Sequence, residues 1–153
     1  MFYRMIKQKR DLWFASDDCT VRTLVDYIAN KKQLRDAQVD AIKTYLFLKV
    51  ACDCKPLSKL FTSGEFNTLD IAELSLPDRV KDYLRQNPAA AALYEYASQT
   101  NDSGEQVSKK LQQQIASDPA GIDYRKFFID TFYGVSYTDY LFSLPMGAAK
   151  HFS

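Results

Sequence analysis

Residues 34–52 read "LRDAQVDAIKTYLFLKVAC", and the spacing of their apolar side chains decides the fold class. Leu34, Ala37, Ala41, Tyr45 and Leu48 recur every three or four residues, the repeat of one α-helical face. Val39, Ile42, Leu46 and Val50 form a second stripe beside the first. So wide an apolar surface predicts a helix buried on most sides, at the centre of a mainly α fold. "CDCKP" ends it.

Helical spacing continues outward in both directions. Upstream, "SDD" at 16–18 offers caps, and "TVRTLVDYIANKK" places Val21, Leu24, Val25 and Ile28 on one face. Downstream, "LSKLF" suits a short turn, "TSGEFNT" a loop, and "LDIAELSL" either a helical turn or a short strand. "LPDRVKDYLRQN" places Pro77 in a first helical turn, with Val80, Tyr83 and Leu84 inward. Asn87 is placed to cap "PAAAALYEYASQ", with Pro88 at the first position. Tyr94 and Tyr96 fall on different faces there, so only one is easily buried. "TNDSGE" is the clearest loop. Val107, Leu111 and Ile115 make a narrow stripe on a polar helix. Asp123 caps "YRKFFIDTFYG", Gly134 stops it, and Phe127, Phe128, Phe132 and Tyr133 read as core. "VSYTDYLFSLP" then turns strand-like. The expectation is a compact multi-helix domain over 1–136, with about seven helices, and a short extended C-terminal segment over 137–153. An unpartnered strand must pair within the chain, pair with a second copy to make a homodimer, or fray.

Composition narrows the function classes. The 153 residues suit one domain, and 46% hydrophobic against 25% charged residues is globular rather than disordered. Five Gly and five Pro are too few for the turns of an all-β fold. The net charge of +1 gives no long-range pull towards nucleic acid or anionic membrane. No run approaches the roughly 18 apolar residues of a membrane helix, and the start "FYRMIKQKRDLW" does not read as a signal peptide. Three Cys, an odd number, suggest reduced thiols and a cytoplasmic protein.

Candidate chemistry is sparse. Cys52 and Cys54 form a C-x-C, but a structural zinc site wants four Cys or His ligands, and Cys19 and His151 lie at opposite ends of the chain. No metal site is expected. The basic clusters are Lys7/Lys9/Arg10, Lys31/Lys32/Arg35 and Lys109/Lys110, with Tyr3, Trp13 and Tyr27 as aromatics able to stack bases. Lys31, Lys32 and Arg35 are the candidate nucleic-acid-binding residues. The Asp pairs suit caps and surfaces, and His151 sits too near a chain end to serve a nucleophile.

The last segment, "TDYLFSLPMGAAK", resembles the first strand and phosphate-binding loop of superfamily-two helicases of the DEAD/DEAH and type III restriction-enzyme-like branch, which commonly read "LPMGAGKT". Upstream, "LRDAQVDAIKTYL" is similar to that group's adenine-reading segment, "LRxYQxEAIxxWL". The resemblance implies that Gln38 reads adenine and that Gly147 and Lys150 belong to a phosphate loop. It covers about a sixth of the chain. The two segments stand about a hundred residues apart where the family leaves a few dozen, so an inserted helical subdomain would have to lie between them. The loop also departs from its pattern. Ala149 stands where Gly permits a strained turn, and His151 where a hydroxyl holds Mg²⁺.

The resemblance implies an ATP-driven DNA translocase of restriction or phage defence for an intact parent, with ATP and Mg²⁺ as the parent's ligands. This chain is expected to be an amino-terminal accessory helical domain or truncated remnant. It would lack catalytic residues, cofactor and ATPase activity, and its partner would be DNA or a protein. A frameshift would account for the ending. Loss of one G from GGC AAA ACA TTT CTC ATG A, which encodes Gly-Lys-Thr-Phe-Leu-Met, leaves Ala-Lys-His-Phe-Ser-stop, matching residues 149–153. The alternative expectation is a stand-alone helical protein-interaction adaptor whose phosphate-loop-like terminus is accidental.

Overall fold

The apolar repeats do form helices. The computed structural model describes residues 2–133. Eight α-helices run through them: α1 (Phe2–Ala15), α2 (Arg22–Lys32), α3 (Asp36–Leu46), α4 (Leu57–Thr62), α5 (Asp78–Gln86), α6 (Pro88–Ser98), α7 (Lys109–Ser117) and α8 (Tyr124–Thr131). A π-helical turn, Phe47–Ala51, extends α3, and 3₁₀ turns occupy Ile71–Glu73 and Pro119–Gly121. "LDIAELSL" is thus a helical turn. No strand forms among the described residues, only an isolated antiparallel bridge between Thr100 and Gln106 across the "TNDSGE" loop. The strand-like tail, Gly134 as a helix stop, Gly147 and Lys150 all lie outside the described residues.

The described residues divide into two compact units. One is Ile6–Leu57; the other is Ser58–Tyr133 together with the start of α1 through Met5. In the second unit the buried element is α6. Ala90, Ala91, Ala92, Leu93, Tyr94, Glu95 and Ala97 are all buried along it. A run of alanines presents almost no side-chain bulk, so α5, α7 and α8 all pack against it. Tyr94 is the buried tyrosine, while Tyr96 is half-buried with its ring stacked on Phe2 at 3.9 Å. Beside them lies an aromatic core. Phe61 is stacked with Phe128 (5.5 Å) and Phe132 (5.3 Å), and it meets Phe2 and Phe66 edge-on at 5.0 Å. The starts of α7 and α8 are closed by side chains. Ser108 accepts from the Leu111 amide at 3.2 Å, and Asp123 from the Lys126 amide at 3.1 Å. Asn87 does not cap α6 as its sequence position suggested. Its amide nitrogen donates to the Tyr83 carbonyl at 2.8 Å and so closes the end of α5.

In the first unit the 34–52 helix departs from expectation. The α-helical part ends at Leu46, and its buried residues are Ala41 and Thr44, followed by Phe47 and Leu48 in the π turn. None of the second stripe is fully buried, and Val50 is 45% exposed. The π turn explains part of this. One extra residue per turn rotates everything beyond Leu46 away from the 3.6-residue register, so Val50 leaves the face that Ile42 and Leu46 share. The central-helix role belongs to α6 in its own unit. Helix α1, from Ile6 onward, lines the first unit with Ile6, Arg10 and Phe14, and Trp13 packs on Phe14 (4.9 Å) and Phe47 (5.9 Å).

Candidate nucleic-acid interface

The α2–α3 corner gathers the cations named from sequence. Helix α2 buries Val25 and half-buries Ile28 and Ala29, while Leu24 and Tyr27 are 52% and 59% exposed. Leu24 was expected inside with Val25; the inward line instead runs through Val25, Ile28 and Ala29. Leu24, Tyr27 and Lys31 share the opposite, solvent-facing line at helical spacing. The Lys31 ammonium lies 5.6 Å from the Tyr27 ring centroid. Lys31 and Lys32 form the last turn, where the partial negative charge of the helix end favours cations. Gln33 then takes a left-handed conformation (φ 50°), and the Leu34 amide donates back to the Ala29 carbonyl at 3.1 Å. Arg35 is extended and leads directly into α3.

Gln38 has a definite role here. Its side-chain oxygen accepts from the Arg35 amide at 2.9 Å, which supplies one half of a capping box at the start of α3. The guanidinium of Arg35 has no acceptor with which to supply the other half. Gln38 is therefore a helix-start residue in this structure. Gly147 and Lys150, the other two residues of the resemblance, lie outside the described residues.

The three basic clusters differ in kind. Arg10 is 2% exposed and bound to Asp11 and Asp40, while Lys7 sits 3.7 Å from Asp40. Those charges are largely neutralised inside the unit. Lys109 and Lys110 are exposed in the first turn of α7. Lys31, Lys32 and Arg35 are exposed and form no ion pair among the described residues. Nearby Arg22 is engaged with the Phe14 and Ser16 carbonyls at 2.7 and 2.5 Å. Of the aromatics named for stacking, Tyr3 and Trp13 are half-buried, and Tyr27 alone is exposed.

Among the described residues no group of three or more His, Cys, Asp or Glu could hold a metal ion. In the second unit a groove of about 790 Å³ is lined by Thr62, Pro88, Gly121, Asp123 and Arg125 among others. Tyr124, at its wall, donates its hydroxyl to the Pro119 carbonyl. Burial, with the nearby Tyr83 and Asp118 charges, raises its phenol well above the usual range. Its charged lining residues are one carboxylate, Asp123, and one guanidinium, Arg125, which is no general base. No helix of the described residues is long and apolar enough to cross a membrane. No protein-family model, curated protein or solved structure matches the chain.

Proposed function

We propose that the chain is a helical, non-catalytic DNA-contacting module of the kind that would accompany a superfamily-two DNA translocase of restriction or phage-defence type. The observation that carries the DNA contact is the α2–α3 corner. Three exposed cations, none in an ion pair among the described residues, follow an exposed tyrosine in the chain, and one of them, Lys31, lies near its ring. Phosphates would take the cations, and a base has a ring face on which to stack. The link to a translocase rests on the two sequence segments alone.

The binding test is fluorescence anisotropy with a labelled oligo-dT at low salt. Binding that weakens as salt rises is the expected result, and no shift at low salt would overturn the reading. The chain alone is expected not to turn over ATP, with or without DNA, because Ala149 and His151 replace the residues the phosphate loop and Mg²⁺ need. Turnover abolished by Lys150→Ala would contradict that expectation. A second reading, a helical protein-interaction adaptor, is favoured by the exposure of Leu24 beside Tyr27. It predicts that Leu24→Glu abolishes partner capture while the chain shows no DNA affinity.

A further inference from the structure

The C-x-C at the end of the π turn has a geometry that its sequence does not announce. Cys52 is 2% exposed, and its amide donates to the Phe47 carbonyl at 3.1 Å. Asp53 and Cys54 both take φ of 56°, two successive left-handed residues without a glycine. The turn is tied on both sides. The Cys54 amide reaches the Leu48 carbonyl and the Lys55 amide reaches the Cys52 carbonyl, each at 3.1 Å. Cys54 is exposed, with its thiol 3.7 Å from the Lys49 carbonyl oxygen. An extended C-x-C would hold its Cα atoms about 7 Å apart, beyond the roughly 4.4–6.8 Å that a disulfide spans. Curling the chain through left-handed residues shortens that separation.

We propose that Cys52 and Cys54 form an oxidation site, with Cys54 as the sulfur that meets solvent peroxide and Cys52 as the resolving thiol. In the first step the Cys54 sulfur attacks hydrogen peroxide. The O–O bond breaks, an S–O bond forms, and water leaves with the thiol proton, giving a sulfenic acid. In the second step the Cys52 sulfur attacks Cys54 Sγ. The S–S bond forms, the S–O bond breaks, and the departing hydroxide takes the Cys52 proton to leave as water. Two thiols and one peroxide thus give one disulfide and two waters. The exposure difference sets the order, because the outer sulfur is reached first and the inner one lies within the same turn. Cys19 is half-buried and lies outside the turn, so it serves as an internal reference.

The test is peroxide treatment of the fully reduced native chain, followed by intact mass, thiol count and peptide mapping. The expected product is lighter by about 2 Da, keeps one free thiol of the original three, maps its crosslink to Cys52–Cys54, and reverts with dithiothreitol. Cys54→Ser should lose the crosslink. Cys52→Ala should leave Cys54 as a sulfenic acid that dimedone traps. Retention of all three thiols would overturn the proposal. So would irreversible oxidation of Cys54 with Cys52 still reduced, or a crosslink that runs to Cys19 or to a second chain.

Discussion

Phe61→Ala is expected to lower the unfolding free energy by about 3–5 kcal/mol, enough to remove much of a small domain's stability. Phe61 is fully buried, at 0% exposure, and its ring touches four others. Truncation removes the transfer free energy of the ring and leaves a hole walled by Phe2, Phe66, Phe128 and Phe132. Those rings come from α1, from the loop after α4, and from α8 and the residue that follows it, so closing the hole requires separate segments to move together. Collapse should be partial and the cost near the upper end of the range. Phe61→Leu keeps most of the volume and should cost about 1–1.5 kcal/mol. Urea denaturation followed by far-ultraviolet circular dichroism measures both. A Phe61→Ala loss below about 1 kcal/mol, in the range of surface substitutions, would show that this aromatic cluster does not form.

Arg10→Ala is the second large effect, expected at about 2–4 kcal/mol, slightly under the cost of breaking a fully buried ion pair. The Arg10 guanidinium donates to Asp11 Oδ1 at 2.9 and 2.7 Å, to the Asp40 carbonyl at 3.2 Å and to Thr44 Oγ1 at 3.0 Å. It also lies 3.1 Å from Asp40 Oδ1. Its methylene stem fills space that Ala would vacate. The Asp40 carboxylate is partly exposed, with 32% of its side-chain surface accessible, so water replaces part of what is lost and the cost stays below that of a sealed pair. Arg10→Met separates the two contributions, since it restores the stem without the charge. It should recover roughly half of the loss. Equal destabilisation by Ala and Met would mean that the hydrogen bonds alone carry the effect.

The mainly α class was legible because helical spacing pervades the chain and few residues favour turns. What sequence spacing could not give was which helix is buried along most of its length. Residues 34–52 carry the larger side chains and the broader stripe, yet α6 is the more deeply buried helix. Alanine contributes little to an apolar stripe, but its small size lets neighbours approach on several sides, as Ala90, Ala91, Ala92 and Ala97 do. Helix α1 escaped notice because its polar residues look like a solvated segment. Arg10, its most deeply buried cation, is inside because the neighbouring Asp11 and, from one turn of α3 some thirty residues on, Asp40 and Thr44 supply its acceptors. The same blindness applied to the cations. Lys7/Lys9/Arg10 and Lys31/Lys32/Arg35 are equally basic as text, and only tertiary partners reveal that Arg10 and Lys7 are paired with acids while the α2–α3 corner is open. Capping was legible where the acceptor is local, as at Asp123. It was misread at Asn87, whose side chain found the end of the preceding helix instead.

The most direct test of the account is the salt dependence of single-stranded DNA binding by the wild-type chain and by Lys31→Ala/Lys32→Ala/Arg35→Ala. All three side chains are exposed, so the variant should keep its fold and its urea midpoint. The account predicts weaker binding for the variant and a slope of log K against log salt shallower by about 2, the value for three lost phosphate contacts on a single strand. A variant that binds as tightly as wild type, with an unchanged slope, would contradict the assignment of the α2–α3 corner as the DNA contact.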